Sequence, residues 1–131
     1  MTDVLVVDDD DETREAWADA FLANGFSVHS AADGFAAWQM LENAVIPVVV
    51  ADLRMPRMSG GVLCERLREN SRLSDTVFIF VSGELTPPAF VRYDCYLRKP
   101  VVMEELFSII DRLLHHSGRH FGTPPAKSEK R

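Results

Sequence analysis

Residues 4–11 read VLVVDDDD, a run of four apolar residues followed directly by four aspartates. A second apolar run, VVVA at residues 48–51, is followed by a single acid, Asp52. Runs this short and this apolar are typical of strands that are buried on both faces of a parallel sheet. Acids at the ends of two such strands meet at one edge of the sheet, where open α/β folds bind their ligands. The two runs therefore predict an acidic site at that edge, although the acids alone also fit a solvated loop.

The rest of the chain alternates strand and helix patterns around these two runs. The predicted strands cover residues 4–8, 26–31, 48–52, 76–81 and 94–97. The predicted helices run from Asp10 or Asp11 to about Asn24, from Asp33-Gly34 to Glu42, from Ser59 or Gly60 to about Asn70, and from Glu104 to His115. This order predicts an α/β fold, a doubly wound parallel sheet of five strands.

Residues 83–94, between the last two predicted strands, do not show a clear pattern. Pro87 and Pro88 lack the backbone N–H groups of a helix interior and are tolerated only in the first turn. About five residues then remain before the fifth strand, little more than one turn, and isolated helices that short are unstable in water. We therefore expect the helix between the fourth and fifth strands to be short, displaced or missing.

Composition and charge set the domain organisation. The chain has 131 residues, of which 47% are hydrophobic and 26% charged, and this suits one domain with a real core. From Ser117 onward the periodicity is replaced by Gly, Pro, Ser and charged residues. Residues 117–131 carry a net charge of +3. The remaining 116 residues therefore carry −9, which gives the whole chain its net charge of −6. We expect a folded domain over residues 1–116 and a flexible tail or linker over residues 117–131.

The acidic body argues against a nucleic-acid partner, because binding to the phosphate backbone depends on Lys and Arg. No apolar stretch approaches the length of a membrane span, and Met1-Thr2-Asp3 shows no basic region ahead of an apolar segment. We therefore expect a cytoplasmic protein that binds neither nucleic acid directly nor membrane.

Polar residues end four apolar runs at the same predicted sheet edge: Asp8 and Asp9, Asp52, Ser82, and Lys99. Taken singly, Ser82-Gly83 is equally typical of a turn, and Lys99-Pro100 of a solvated loop. Together these residues form a coherent set, with acids to hold a cation, one acid free to react, and a hydroxyl and an ammonium for an anion. Such a set suits phosphoryl transfer, where catalysis is mostly positioning and charge neutralisation.

The chain resembles the receiver domain of two-component response regulators over residues 3–116. The matching strings are VLVVDDD (4–10), DGFAAW (33–38), VVVADLRMPRMSG (48–60), FIFVSGE (78–84) and YLRKPV (96–101). The resemblance implies a flavodoxin-like strand order, 2-1-3-4-5. It also implies a signalling phosphoacceptor that catalyses only its own phosphorylation and dephosphorylation, with a sensor histidine kinase or a histidine phosphotransferase as partner.

The resemblance also implies roles for single residues at the acidic edge. Asp52 is the phosphoacceptor that attacks phosphohistidine on the partner. Asp9 and Asp52 resemble direct ligands of Mg²⁺ or Mn²⁺, Asp8 resembles a ligand acting through water, and Arg54 one acting through its backbone carbonyl. Mg²⁺ suits such a site because it keeps several waters and takes only one or two carboxylates plus phosphate oxygens.

Further roles concern the anion and the switch. Lys99 resembles the lysine that pairs with the phosphoryl group, and a cis peptide bond is implied before Pro100. Ser82 takes the place of the switch hydroxyl, and Tyr96 that of the switch aromatic. The stretch from Ser82 to Lys99 is shorter than is usual in the family. That departure puts in doubt whether the face formed by the fourth helix, fifth strand and last helix serves dimerisation and output here.

Two residues are expected to set the lifetime of an aspartyl phosphate. Arg54 and Glu84 follow Asp52 and Ser82 by two positions, so both side chains would flank the path of the attacking water. Arg54 is bulky enough to obstruct that path. We therefore expect slow autodephosphorylation.

Two rival functions remain open from the sequence. A haloacid dehalogenase-type phosphatase would use Asp8 as nucleophile with Asp10 assisting, but the chain lacks the cap and the late acidic pair of such enzymes. A pseudo-receiver would be an interaction module that works without phosphorylation. The complete residue set argues against it, and the shortened fourth helix argues weakly for it. Whether the chain is a stand-alone receiver or part of a longer protein is also open.

Overall fold

The computed structural model describes residues 2–115, within which there are five strands and four helices. The strands are β1 Asp3–Val7, β2 Ser27–Ala31, β3 Val48–Ala51, β4 Val77–Ser82 and β5 Cys95–Arg98. The helices are α1 Asp11–Ala23, α2 Gly34–Asn43, α3 Gly60–Glu69 and α4 Met103–Leu114. All neighbouring strands pair in parallel, in the order β2-β1-β3-β4-β5. The predicted fold class and strand order are confirmed, and the predicted tail at residues 117–131 lies outside the described residues.

Side-chain caps fix the starts of three helices. Asp10 caps α1, Asp33 caps α2 and Ser59 caps α3. In each case the side-chain oxygen accepts a hydrogen bond from the backbone N–H three residues later, satisfying a donor that the first turn leaves unpaired. The predicted boundaries of all five strands and four helices agree with the structure to within one residue.

The sheet is buried on both faces, as its continuous apolar strands require. One face packs against α2 and α3, and it includes Leu5, Val7, Val49, Ala51, Phe78 and Phe80. The other face packs against α1 and α4, and it includes Val4, Val6, Val48, Val50, Ile79 and Val81. None of the helices within residues 2–115 combines the length and hydropathy needed to cross a bilayer.

Residues 83–94, the β4–β5 loop, contain no helix, so the prediction of a short or missing helix here is confirmed. Val91 and Tyr93 from this loop pack against the core face formed with α2 and α3. The Tyr93 ring lies edge-on to Phe80, with the ring centroids 5.5 Å apart. Two side chains of an irregular segment thus cover core surface beside β4. The outer part of the loop is different, because Leu85 and Phe90 are exposed.

Arg68, in the last turn of α3, binds the end of this loop that leads into β5. Its side chain is only 2% exposed. It donates hydrogen bonds of 2.6–3.1 Å to four groups, the carbonyls of Ser74, Thr76 and Arg92 and the carboxylate of Asp94. The same Asp94 oxygen accepts a hydrogen bond of 2.8 Å from the N–H of Phe78 at the start of β4. A buried ion pair with these additional bonds therefore joins α3, β4 and the loop.

Candidate functional site

Three carboxylates converge at the carboxyl edge of the sheet. Asp8 and Asp9 follow β1, and Asp52 follows β3, its neighbour in the sheet. The N–H of Asp52 donates to the carbonyl of Val7 at 2.9 Å, which continues the pairing of the two strands up to the site. Ligand oxygens of the three acids lie within 4.8 Å of one another. The predicted acidic cluster is therefore present.

The three acids differ in their surroundings. Asp8 is fully buried, and its Oδ1 accepts a hydrogen bond of 2.8 Å from the N–H of Asp10. Asp52 is 14% exposed, and its Oδ1 accepts one of 2.7 Å from the N–H of Leu53. Asp9 is exposed. The site therefore has one acid anchored in the interior, one at the mouth, and one in solvent.

Lys99, directly after β5, brings a positive charge next to two of the carboxylates. Its Nζ lies 3.1 Å from Asp8 Oδ2 and 3.4 Å from Asp52 Oδ2. It also lies 5.5 Å from the centre of the Trp17 ring in α1, within the range of a cation–π contact. The N–H of Lys99 donates to the carbonyl of Ser82 at 2.9 Å, and the peptide bond before Pro100 is cis.

Burial and the clustered charges together shift the pKa values of two groups at the site. Burial raises the pKa of the Asp52 carboxyl; Lys99 opposes this shift and the Asp8 carboxylate adds to it. Burial alone would lower the pKa of Lys99, but Asp8 and Asp52 raise it above its usual value. Lys99 is therefore held in its charged form, yet this one ammonium lies beside two of the three clustered carboxylates. An all-oxygen donor set with surplus negative charge fits a hard divalent cation such as Mg²⁺.

The two predicted switch residues bind the same residue, Glu84. The hydroxyl of Ser82, which is buried at the end of β4, accepts a hydrogen bond of 3.1 Å from the N–H of Glu84. The hydroxyl of Tyr96 in β5 donates one of 2.8 Å to the carbonyl of Glu84. The Tyr96 ring is half-buried against Phe80 and Tyr93. The two hydroxyls are therefore linked through a single residue.

Arg54 and Glu84 also meet through their side chains. Arg54 Nε lies 2.5 Å from Glu84 Oε2, and the arginine side chain is 79% exposed. Exposed ion pairs contribute little to stability, so this pair is free to form and break. It spans from the loop after Asp52 to the loop after Ser82, which brings together the two residues that the sequence singled out for dephosphorylation.

One contact of the site was not predicted, whereas the helix cap at Asp10 was. The Trp17 ring beside Lys99 joins residues far apart in the chain, and nothing in either local sequence signals the contact. The side chain of Asp10, a candidate assistant for a hydrolase nucleophile, instead caps α1 by accepting from the N–H of Thr13 at 2.9 Å. Asp10, the second acid of the hydrolase alternative, therefore has a structural role as a helix cap.

Comparison with known proteins gives a consistent family. The family model "Response regulator receiver domain" matches residues 4–111. The chain is 35% identical over 122 residues to the response regulator MprA of Mycobacterium sp. (strain KMS), covering 87% of this chain and 51% of that protein. It is 33% identical over 119 residues to the sensor kinase CckA of Brucella abortus, covering 85% of this chain and 12% of that protein. The chain thus spans about half the length, or less, of these curated relatives.

A solved structure of similar size shares the fold. The chemotaxis response regulator CheY4 of Vibrio cholerae is 28% identical, with a TM-score of 0.79. The match covers 86% of this chain and 98% of that one.

Proposed function

The chain belongs to the response regulator receiver domain family, and we propose that its Asp52 accepts a phosphoryl group from a phosphohistidine of a sensor kinase or histidine phosphotransferase. Receiver domains are signalling domains of two-component systems, and they bind Mg²⁺ at an acidic pocket. The observation that carries the proposal is the cluster of Asp8, Asp9 and Asp52 with the Lys99 ammonium beside two of them. That arrangement supplies a nucleophile together with compensation for the negative charge of a phosphoryl group.

In the proposed reaction, a carboxylate oxygen of Asp52 forms a bond to phosphorus while the bond from phosphorus to the histidine nitrogen breaks. The nitrogen keeps the electron pair of that bond. Asp8, Asp9, Asp52 and the backbone carbonyl of Arg54 would hold Mg²⁺ or Mn²⁺, which when bound neutralises charge on the phosphoryl oxygens. Lys99 keeps its proton, because the carboxylates raise its pKa, and pairs with a further phosphoryl oxygen.

The contacts of Ser82 support a role as the switch hydroxyl. A rotation of this side chain toward a phosphoryl group would move its oxygen away from the N–H of Glu84. The Glu84 carbonyl, which accepts from Tyr96, belongs to the same residue and would shift with it. Phosphorylation at Asp52 would in this way change the environment of Tyr96 on the β5 surface.

The test of this function is mass spectrometry of the isolated chain after incubation with acetyl phosphate. We expect one added phosphoryl group in the presence of Mg²⁺ and none when a chelator is present. An adduct that forms equally well in chelator would contradict the proposed cation site.

Replacing Arg54 by asparagine is expected to shorten the lifetime of the aspartyl phosphate severalfold. The substitution removes a bulky side chain and its ion pair with Glu84. In our proposal this side chain would obstruct the path of water to phosphorus. The measurement is the loss of the adduct over time after the phosphodonor is removed. Arg66→Asn, which changes an exposed arginine of α3, is the matched control and should decay like the unaltered protein. Equal decay rates for Arg54→Asn and the control would contradict this role.

The outer half of the β4–β5 loop is expected to become ordered on activation. The hydrogen bonds of the whole loop involve residue 84 at one end and residues 91–94 at the other. Glu84 N–H donates to Ser82, and Asp94 N–H donates to the Phe78 carbonyl. We expect fast hydrogen exchange over residues 85–90 and slow exchange at Asp94 in the unphosphorylated protein. Adding Mg²⁺ and beryllofluoride, a phosphoryl mimic, should slow exchange over residues 85–90. Strong protection before activation would exclude ordering as the response.

A further inference from the structure

Gly34, the first residue of α2, packs directly against the loop that follows Asp52. Its N–H donates to the carbonyl of Met58 at 3.2 Å. A Cβ atom at Gly34 would lie 2.3 Å from the Met58 carbonyl oxygen and 3.0 Å from Met58 Cβ. The obstacle is backbone, which cannot rotate away as the end of a flexible side chain can. Any larger residue at position 34 must therefore displace the loop.

The two neighbours of Gly34 in the chain contact Arg57, the loop residue that precedes Met58. Arg57 has φ = 70°, a left-handed conformation that is costly for a residue with a long side chain. Its Nε lies 3.5 Å from Asp33 Oδ2, and its guanidinium carbon lies 5.1 Å from the centre of the Phe35 ring. These two contacts place the side chain of Arg57, which is 63% exposed, against the start of α2. The three residues at the start of α2 thus contact Arg57 and Met58. We call them the α2 clasp: Asp33, Gly34 and Phe35.

The loop, residues 52–59, is also fixed at its junction with α3. The N–H of Gly60 donates to the carbonyl of Leu53 at 2.9 Å. A Cβ atom at Gly60 would lie 2.2 Å from the carbonyl oxygen of Asp52. The loop is therefore held by a close backbone approach at each end, and Arg54 lies between the two holds.

We propose that the α2 clasp is a positioning device for the cation site, so that its three residues act on Mg²⁺ binding without touching the ion. This inference rests on the proposed function, since it concerns the site formed by Asp8, Asp9 and Asp52. By holding Met58 and Arg57 in place, the clasp fixes the backbone course of the loop that begins at Asp52 and carries the Arg54 carbonyl. Groups that orient metal ligands from outside the coordination sphere commonly alter metal affinity by about 10–100-fold when they are changed.

The first test compares two glycine substitutions by calorimetric titration of the unphosphorylated protein with Mg²⁺. Gly34→Ala should weaken binding by about 10-fold, within the range for residues that support metal ligands. Gly61→Ala is the matched control, because its Cβ would meet only side-chain atoms at 3.8 Å, and it should bind as the unaltered protein does. Equal affinities for Gly34→Ala and Gly61→Ala would overturn the proposal. If the unaltered protein itself fails to bind Mg²⁺, the proposed function fails instead.

The second test remains decisive if Gly34→Ala does not fold. Arg57→Gly removes both side-chain contacts of the clasp, while glycine accepts the positive φ without strain. It should bind Mg²⁺ severalfold more weakly at an unchanged midpoint of thermal unfolding. Arg57→Lys keeps a cation for Asp33 and Phe35 and should restore most of the affinity. Unchanged Mg²⁺ affinity in Arg57→Gly, or a loss that lysine does not rescue, would overturn the proposal.

Discussion

Asp52→Asn is expected to abolish the phosphoryl adduct that the unaltered protein forms with acetyl phosphate and Mg²⁺. The amide that replaces the carboxylate is a poor nucleophile, and as a neutral oxygen donor it is a weaker ligand for a hard cation, so the reaction loses the nucleophile and part of the cation binding. The labelling rate should fall by more than the ~10²–10³-fold that loss of a single stabilising donor typically costs. Intact-mass spectrometry at several times of incubation measures this rate.

Two further variants sharpen this expectation. Asp19→Asn, which removes an exposed acid of α1, should be labelled at the unaltered rate. Asp8→Asn tests the hydrolase alternative, in which Asp8 is the nucleophile. A stable adduct that survives in Asp52→Asn and disappears in Asp8→Asn would contradict the assignment of the phosphoacceptor.

Arg68→Ala is expected to lower the free energy of unfolding by about 3–5 kcal/mol, the usual cost of removing one partner from a buried ion pair. The substitution removes the Arg68 guanidinium from the Asp94 carboxylate, whose side chain is only 10% exposed, and it removes the donor of three backbone carbonyls. Domains of this size are stable by about 5–15 kcal/mol, so a large share of the total would be lost. Urea unfolding followed by circular dichroism gives the value.

Arg66→Ala provides the matched control for this prediction. Arg66 lies in the same turn of α3 but is exposed, and its removal should change stability by no more than about 0.5 kcal/mol. Arg68→Lys should recover only part of the loss, because an ammonium cannot present the planar fork of a guanidinium to several acceptors. A loss below about 1 kcal/mol in Arg68→Ala would indicate that the loop is held mainly by Val91 and Tyr93.

The main features of the fold could be predicted from the sequence because they follow from local patterns. Uninterrupted apolar runs predicted β1, β3 and β4, and the capping residues Asp10 and Ser59 predicted where helices begin. The two prolines in the β4–β5 loop predicted the weakness of a helix there, and the structure has none. The clustering of Asp8, Asp9 and Asp52 followed from the geometry of parallel strands, whose carboxyl ends share one edge.

Other features depend on contacts that no local pattern encodes. Arg68 looks like a surface charge in an amphipathic helix, and arginine is rarely buried, yet its partners come from two other segments, residues 74–76 and 92–94. The shared bonding of Ser82 and Tyr96 to Glu84 depends on the path of an irregular loop. The roles of Asp52, Lys99, Arg54 and the two switch residues in phosphorylation stay predictions.

The division of the β4–β5 loop into an anchored and an exposed half has an evolutionary consequence. Substitutions at Val91 or Tyr93 disturb the packing of the core and are opposed by selection for folding. Leu85 and Phe90 project into solvent, so packing places little constraint on their side chains, whereas the φ of 64° at Phe90 favours glycine, asparagine or aspartate there. A lineage can therefore vary the outward surface of this loop without disturbing the packing that holds its inner end.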